Sequence, residues 1–472
     1  MIKIFNTLKR KKEKLVSIFP KKLNIYVCGI TVYDICHIGH ARTLIFFDLV
    51  CRYLNYKGYS VNYVRNITDI DDKIIIRSLE CNKSYSELSN FMIQKMQHDC
   101  RMLNLISPNQ EPRVTDHIID IINMIQILYQ KGHAYINHDG DMMFNLSTYK
   151  NYGLFLKNEK PLLIIKHKKY KNNYNKKQNS NDFVLWKRAK HNEPYWSSPW
   201  GDGRPGWHIE CSAMNYKIFG NYCDIHGGGS DLIFPHHENE IAQSVCAHPG
   251  PYVNFWMHTG MVMYKDKKMS KSLGNYYTIQ NCLKKYHVDV IRYCLTFPHY
   301  RSKINYTEDS LQQAYYAIKK LYSTLLGMKR EEITEKHTNN KFYLQFISAM
   351  NDDFNTPKAY AVLFSLTKEI NLFRKKDIHK ANELANILLI LSNLLGILYD
   401  NPNNFLKNRT SLSENQIKKI KILIEKREID RKNFKWKEAD IKRAKLKTMG
   451  ISLVDTENGT KWHIDEKIKL EF

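Results

Sequence analysis

The segment Cys36-His37-Ile38-Gly39-His40-Ala41-Arg42 sets two imidazoles three residues apart, where an apolar run hands over to a helical pattern. Residues at that spacing share one face of a first helical turn. The unpaired backbone N–H groups and the positive dipole end of such a turn attract anions, and Gly39 leaves room for a flat ligand. Two imidazoles beside phosphates stabilise charge that develops during their transfer; taken alone, the same pair also serves as structural or surface histidines. A second segment, Lys267-Lys268-Met269-Ser270-Lys271-Ser272-Leu273-Gly274-Asn275, carries lysines on a Ser- and Gly-containing loop. They can reach triphosphate oxygens as mobile point charges, or form a solvated basic loop. The third set is of metal-ligand type: Cys28, Cys211, and His236, His237, Glu238 and Glu240 within Phe234–Glu240. Two thiolates, an imidazole and a carboxylate suit tetrahedral zinc, although spacing alone cannot assemble residues this far apart. Pro235 suits a helix start, which would put His236 and Glu240 on one face at i,i+4, with His237 a spare ligand or a supporting histidine. A zinc hydrolase of the HExxH type is excluded, because no histidine follows His237-Glu238 at position 241.

The elements that must position these groups read as follows. Asn24 to Cys28 is a buried strand ending at Gly29; Ala41, Leu44, Ile45, Asp48, Leu49, Arg52 and Tyr53 trace a helix that stops at Gly58; Tyr59 to Val64 is a second strand. Strand, helix, strand in this order predicts a βαβ unit of a parallel sheet. The rhythm breaks over 107–205, with a helix at 114–131, a β-like piece at Ala134 to Leu146 and a Lys/Asn-rich stretch from Lys166 to Asn181. It resumes at Trp207, with a helix at Glu210 to Phe219 and a strand at Cys223 to His226. From Glu308 the pattern is helical, with further helical stretches at 341–374 and 380–399, and Asp400-Asn401-Pro402-Asn403-Asn404 is a linker. The expected fold is therefore α/β: a Rossmann-type parallel-sheet catalytic domain over 1–304, with halves at 20–106 and 206–300 split by an insertion at 107–205. An all-α helical bundle at 305–405 and a small basic domain at 406–472 follow.

The 472 residues are 43% hydrophobic and 25% charged, which excludes wholesale disorder, collagen and coiled-coil rods. Lys and Arg exceed Asp and Glu by 25, a surplus that favours a polyanionic partner or reflects composition drift over the whole surface. Ten scattered cysteines with no CxxC read as reduced thiols with one metal site, not as a disulfide framework. The N-terminus lacks a signal-peptide apolar core, and Leu384 to Tyr399 is too short to span a bilayer. A soluble, cytoplasmic protein that does not bind membranes is expected.

HIGH at the first strand–helix turn and KMSKS late in the second half are paired signatures, and with their neighbours they carry a resemblance. The chain resembles the cysteinyl-tRNA synthetase family of class I aminoacyl-tRNA synthetases over nearly its whole length. The match includes Tyr26-Val27-Cys28-Gly29-Ile30-Thr31-Val32-Tyr33-Asp34, Asn66 to Lys73, Asp182 to Lys187, GWHIEC, and Ile225-His226-Gly227-Gly228-Gly229-Ser230-Asp231-Leu232. The resemblance implies that Cys28, Cys211, His236 and Glu240 hold one Zn2+ per chain. It implies that His37 and His40, with Gly39, meet the phosphates of ATP, that Lys271 with Lys268 stabilises the leaving pyrophosphate, and that Mg2+ accompanies the nucleotide. Gly29, Thr68, Trp207 and Asp231 are expected around L-cysteine. The anticodon reader is expected on the C-terminal segment, where Trp436 and Trp462 are placed to stack bases and Arg431, Asp440 and Asp455 to read base edges. The activity so implied is ATP-dependent attachment of cysteine to its tRNA by a monomer. The alternative is a cysteine ligase acting on a small amine acceptor, which would not need the basic tail. Cysteine and serine differ by one atom, which a steric pocket reads poorly and a soft metal reads well.

Overall fold

The computed structural model describes residues 1–156, 181–264, 267–268, 276–329, 335–407, 414–449, 451–456 and 459–464. At its centre lies a four-stranded sheet of β1 (Lys22–Thr31), β2 (Ser60–Thr68), β3 (Cys223–Gly229) and β4 (Val253–Thr259). The strand order is β4-β3-β1-β2 and every pair is parallel. β1 and β2 are joined by α1 (Ile38–Tyr56), which is apolar around most of its circumference and correspondingly buried. α2 (Trp207–Phe219) leads into β3, and α3 (Glu238–Ala247) lies between β3 and β4. The order of strands reverses between β1 and β3, so a crevice opens at their carboxyl ends, the usual ligand position in an open parallel sheet.

β1 and β2 approach closely beside that crevice. The Gly29 N–H donates to Asn66 Oδ1 at 2.8 Å, and a Cβ on Gly29 would lie 1.6 Å from the Asn66 carbonyl oxygen. Gly29→Ala must push the strands apart, and we expect it to lower unfolding free energy by about 1–3 kcal/mol or more. An unchanged urea midpoint in that variant would contradict this account of the glycine.

The insertion carries a 3-10 turn at Val114–His117, a helix at Ile118–Gln130 and an antiparallel sheet of Ala134–Ile136, Met142–Phe144, Phe183–Arg188 and Gly203–Pro205. Nearly all of the Lys/Asn-rich stretch, up to residue 180, falls outside the described residues. Helices follow at Glu308–Leu325, Lys341–Asn351, Thr356–Phe373 and Ile378–Leu394. The 341–374 stretch is broken at Asp353 and Phe354, whose φ values are +62° and +49°. Asp353 accepts from the Phe5 N–H and the Tyr300 hydroxyl at 2.8 Å each, and from Arg301 Nε at 3.0 Å. Those bonds reward a left-handed kink that periodicity does not signal.

The chain divides by its contacts into Met1–Tyr399 and Asp400–Phe472. In the first unit, buried Asp48 on α1 accepts from Arg292 at 2.5 Å, from Arg52 at 2.9 Å and from the Ile106 N–H at 2.8 Å, while Arg292 also donates to the Leu395 carbonyl at 3.1 Å. The second unit pairs helices Glu414–Lys432 and Trp436–Thr448 with a hairpin of Ile451–Thr456 and Gly459–Ile464. Its core is Ile420, Ile424, Leu446, Ile451 and Leu453, and Trp462 packs against it. Trp436 is 54% exposed, beside Phe434 at 77%. Asp440 is exposed; Asp455 pairs with Thr460 in the hairpin register, and Arg431 lies in the last turn of its helix. Among the described residues no helix is long and apolar enough to cross a membrane.

Candidate active site

The crevice is lined from both sides of the sheet reversal. Cys28 comes from the carboxyl end of β1, Cys211 from the first turns of α2, and His236 and Glu240 from the segment after β3. All four are buried, and their donor atoms lie within 4.8 Å of one another. Cys28 Sγ is 3.6 Å from Cys211 Sγ, 3.6 Å from His236 Nε2 and 3.4 Å from Glu240 Oε1, and His236 Nε2 is 3.0 Å from Glu240 Oε1. Zinc bonds of about 2.0–2.3 Å give tetrahedral edges of about 3.3–3.8 Å, so one ion fits this donor set with small adjustments. The chemistry agrees: two thiols and a carboxylate share a buried pocket, an arrangement that needs a compensating cation. The other nitrogen of His236, Nδ1, lies 2.9 Å from His208 Nδ1, and a held second nitrogen is what orients a ligating imidazole.

Helix geometry bears out one expectation. Phe234 is extended, at φ −142° and ψ 132°, and helical backbone starts at Pro235 and runs on into α3, which sets His236 and Glu240 four residues apart on one helical stretch. The Glu238 carboxylate fixes that start by accepting the N–H groups of Gly153, Leu154 and Phe155 at 2.7, 2.8 and 2.9 Å. His236 and Glu240 meet on one face of that stretch.

Electrostatics within the quartet are strongly polarised. The Cys28 S–H donates to Cys211, which pulls the Cys211 thiol down to about 6, while burial holds Cys28 well above the ordinary thiol range. Against the opposing effect of burial, Glu240 and Cys211 lift the His236 imidazolium to about 10, and His226 and His236 keep the Glu240 carboxyl well below its usual value. Glu210 behaves oppositely. Burial and the neighbouring Cys211 raise its carboxyl well above the usual range, and it accepts from the Thr68 hydroxyl at 3.2 Å. Sequence reasoning gave no role to Glu210, His208 or His226, although all three stand inside quoted motifs.

Around the quartet, Gly29 and Thr68 sit at the ends of β1 and β2, the Trp207 ring lies 4.5 Å from that of His236 at a tilt of 38° and is 40% exposed, and Asp231 is exposed just past β3. At the start of α1, His37 is the N-cap. Its Nδ1 accepts from the Gly39 N–H at 3.0 Å, and His40 Nδ1 accepts from the His37 N–H at 3.3 Å. Desolvation and the adjacent His37 push His40 down to about 3, so that ring is neutral. With Nδ1 accepting on both rings, the neutral tautomers carry their protons on Nε2, and the two rings stack at 3.8 Å. The crevice mouth is thus offered two N–H donors rather than two cations.

Lys271 lies outside the described residues, and so does the rest of 269–275. The residues flanking that segment are fixed. Lys267–Lys268 pair with Met263 and Tyr264, and the Ile38 N–H donates to the Tyr277 carbonyl at 3.0 Å while the Ile279 N–H donates to Cys36 at 3.0 Å. Thr278 bridges His37, and the Tyr276 hydroxyl donates to the Ile35 carbonyl at 2.9 Å. The residues just after that segment, 276–279, are therefore anchored against the histidine motif.

A family model described as tRNA synthetases class I (C) catalytic domain matches residues 14–316, and one described as DALR domain matches 345–399. A cysteine–tRNA ligase of Wigglesworthia glossinidia brevipalpis is 55% identical over 463 residues, covering 98% of this chain and 99% of that one. The chain belongs to the cysteine–tRNA ligase family of class I aminoacyl-tRNA synthetases. Another member, from Proteus mirabilis, is 50% identical with the same coverage. Fold similarity reaches further: methionyl-tRNA synthetase of Mycobacterium tuberculosis bound by methionyl-adenylate superimposes with a TM-score of 0.61 at 14% identity, over 82% of this chain and 93% of that one. The family fold is thus the α/β class I architecture with a helical region after it.

Proposed function

We propose that the protein activates L-cysteine with ATP, forming cysteinyl-adenylate and pyrophosphate, and then transfers the cysteinyl group to the 3′-terminal ribose of its tRNA with release of AMP. The observation that carries this reading is the buried Cys28–Cys211–His236–Glu240 quartet at the sheet reversal, beside the paired histidines of α1. In it, Cys28, Cys211, His236 and Glu240 hold Zn2+. A bound zinc supplies a soft Lewis acid that distinguishes a thiolate from an alcohol, the discrimination a steric pocket cannot make.

The chain's own groups do the rest. Trp207 closes the apolar side of the amino-acid pocket, Thr68 and Gly29 line its floor, and Asp231 faces the cysteine amine. His37 and His40 donate from Nε2 to phosphate oxygens, and Lys271 with Lys268 meets the pyrophosphate, with Mg2+ as the counterion of the nucleotide. Glu210, whose carboxyl burial and Cys211 raise above its usual range, accepts from the Thr68 hydroxyl and so holds that side chain at the pocket floor. The ten thiols, all unpaired with one another, suit a reducing, cytoplasmic setting.

The basic unit 400–472 takes the anticodon. Trp436 offers an exposed stacking face, Arg431, Asp440 and Asp455 supply edge-reading groups, and Trp462 supports the surface from the core side. Removing residues 400–472 leaves cysteine-dependent pyrophosphate exchange within the same order of magnitude. Aminoacylation efficiency falls by about 10²-fold or more, since each lost bidentate base contact is worth about 1–3 kcal/mol. RNA binding by the intact protein weakens steeply with salt. Undiminished tRNA charging by the truncated protein would remove the anticodon role from this unit.

A further inference from the structure

The amino-acid pocket is flanked by two stretches of chain. One runs from Thr68 at the end of β2 to Asp72, the first residue of the helix Asp72–Glu80; the other runs from the insertion strand Gly203–Pro205 to Glu210 near the start of α2. They are joined at both ends. At the pocket the Thr68 hydroxyl donates to Glu210 Oε2 at 3.2 Å, and further along Arg204 Nη2 donates to Asp72 Oδ1 at 2.6 Å. Lys187 Nζ donates to the other oxygen of Asp72 at 2.6 Å, and Arg204 Nη1 donates to Glu193 at 2.6 Å. The Arg204 side chain is buried, whereas that of Asp72 is half exposed. A planar guanidinium spread between two carboxylates fixes direction as well as distance.

Arg204 stands just ahead of Trp207, and the chain between them is held by its backbone. The Gly206 N–H donates to the Leu185 carbonyl at 2.8 Å, and a Cβ on Gly206 would lie 2.1 Å from the Val184 carbonyl oxygen. The start of α2 is therefore pressed against the insertion strand Phe183–Arg188, and Lys187 of that same strand reaches Asp72. Where the Trp207 indole stands depends on where this strand is seated, and the Asp72 cluster seats it beside β2. The zinc proposed above recognises sulfur and is indifferent to chain length, since homocysteine offers it the same thiolate on one more methylene. Length has to be read by the walls of the pocket, which in the reading above are Thr68 and Trp207.

We propose that Asp72 and Arg204 are positioning residues that brace the span between Thr68 and Trp207, and so make the pocket exclude thiol amino acids longer than cysteine. The proposal rests on the amino-acid pocket of the preceding subsection and deepens it: the metal selects the thiol, and the brace selects its length. Both residues act through the walls and not on the substrate. A wall that shifts by about 1 Å is enough to misplace a bound group, so the brace matters although it stands outside the pocket.

The test is pyrophosphate exchange by the full-length protein with cysteine and with homocysteine under reducing conditions, with zinc content and the urea midpoint measured on the same preparations. In Asp72→Asn the preference for cysteine in kcat/KM falls by about 10-fold, inside the 10–200-fold that one methylene is worth in a pocket. The fall comes from a raised KM for cysteine and better use of homocysteine. The kcat with cysteine, the KM for ATP and the zinc content stay nearly unchanged, a split that a general loss of structure would not give. An unchanged preference overturns the brace, and so does a fall in kcat or zinc with the preference intact. Wild-type protein that uses homocysteine as readily as cysteine also overturns it. Absence of cysteine-dependent exchange in the wild type overturns the activity proposed above, and the brace with it. If Asp72→Asn fails to fold by circular dichroism, Lys187→Gln removes one of the two cations on Asp72 and shifts the preference in the same direction; no shift overturns the brace.

Discussion

Cys211→Ser protein is expected to lose most of its zinc and to slow in cysteine-dependent pyrophosphate exchange by about 10²-fold or more, since even loss of a supporting contact to a metal ligand costs 10–100-fold. Cys211 receives a hydrogen bond from Cys28 that draws its thiol down to about 6, so it is the sulfur best prepared to bind as thiolate. Serine keeps the shape and removes that character. Metal analysis and exchange on the same preparation, with the urea midpoint as a folding control, give the answer. Full zinc and normal exchange in the variant would move the metal away from this quartet.

Lys271→Ala is expected to lower the rate of adenylate formation by about 10²–10³ while leaving cysteine affinity nearly unchanged. Negative charge gathers on the departing pyrophosphate only as the transition state is reached, so its partner acts on kcat and little on KM for cysteine. The segment just after 269–275 supports the assignment, since 276–279 is hydrogen-bonded to 35–38. Single-turnover kinetics separate the two quantities. A raised KM for cysteine with an unchanged chemical step would show that Lys271 serves the amino acid instead.

Much of the α/β core was readable because β1, α1 and β2 announce themselves by an apolar run, a 3.6-residue pattern and a stopping glycine at Gly58. The paired histidines were readable for the same reason, since their face is set by local helix geometry. The quartet was different: its members come from three elements, and only a resemblance gathered them. His226 went unremarked because it lies inside a buried strand, where periodicity sees only an interruption of an apolar run. Pro235 was legible as a helix start, because its fixed φ and missing N–H suit a first helical position, while the bonds that tie Glu238 to residues 153–155 gave no local signal. The N-terminal hairpin of Lys3–Asn6 and Lys11–Lys14 gave no alternation to read, because what holds it is distant: the Asn6 amide donates to the Asn254 carbonyl at 2.8 Å. Trp436 and Trp462 looked alike in sequence, yet one is exposed and the other packs on a core that forms only when hairpin and helices meet.

The bridge between His37 and Thr278 sets a timetable for the nascent chain. Thr278 is 241 residues downstream of His37. At about 5–20 residues per second, the ribosome needs about 12–48 s after making the first partner to make the second. For most of that interval β1, α1 and β2 exist without β3 and β4, which end at Gly229 and Thr259, and the thiol of Cys28 waits for Cys211, His236 and Glu240. Nucleotide and metal therefore meet a finished pocket together only after nearly three-fifths of the polypeptide has been translated, and a ribosome that stalls before Cys211 releases a product with a single member of the quartet.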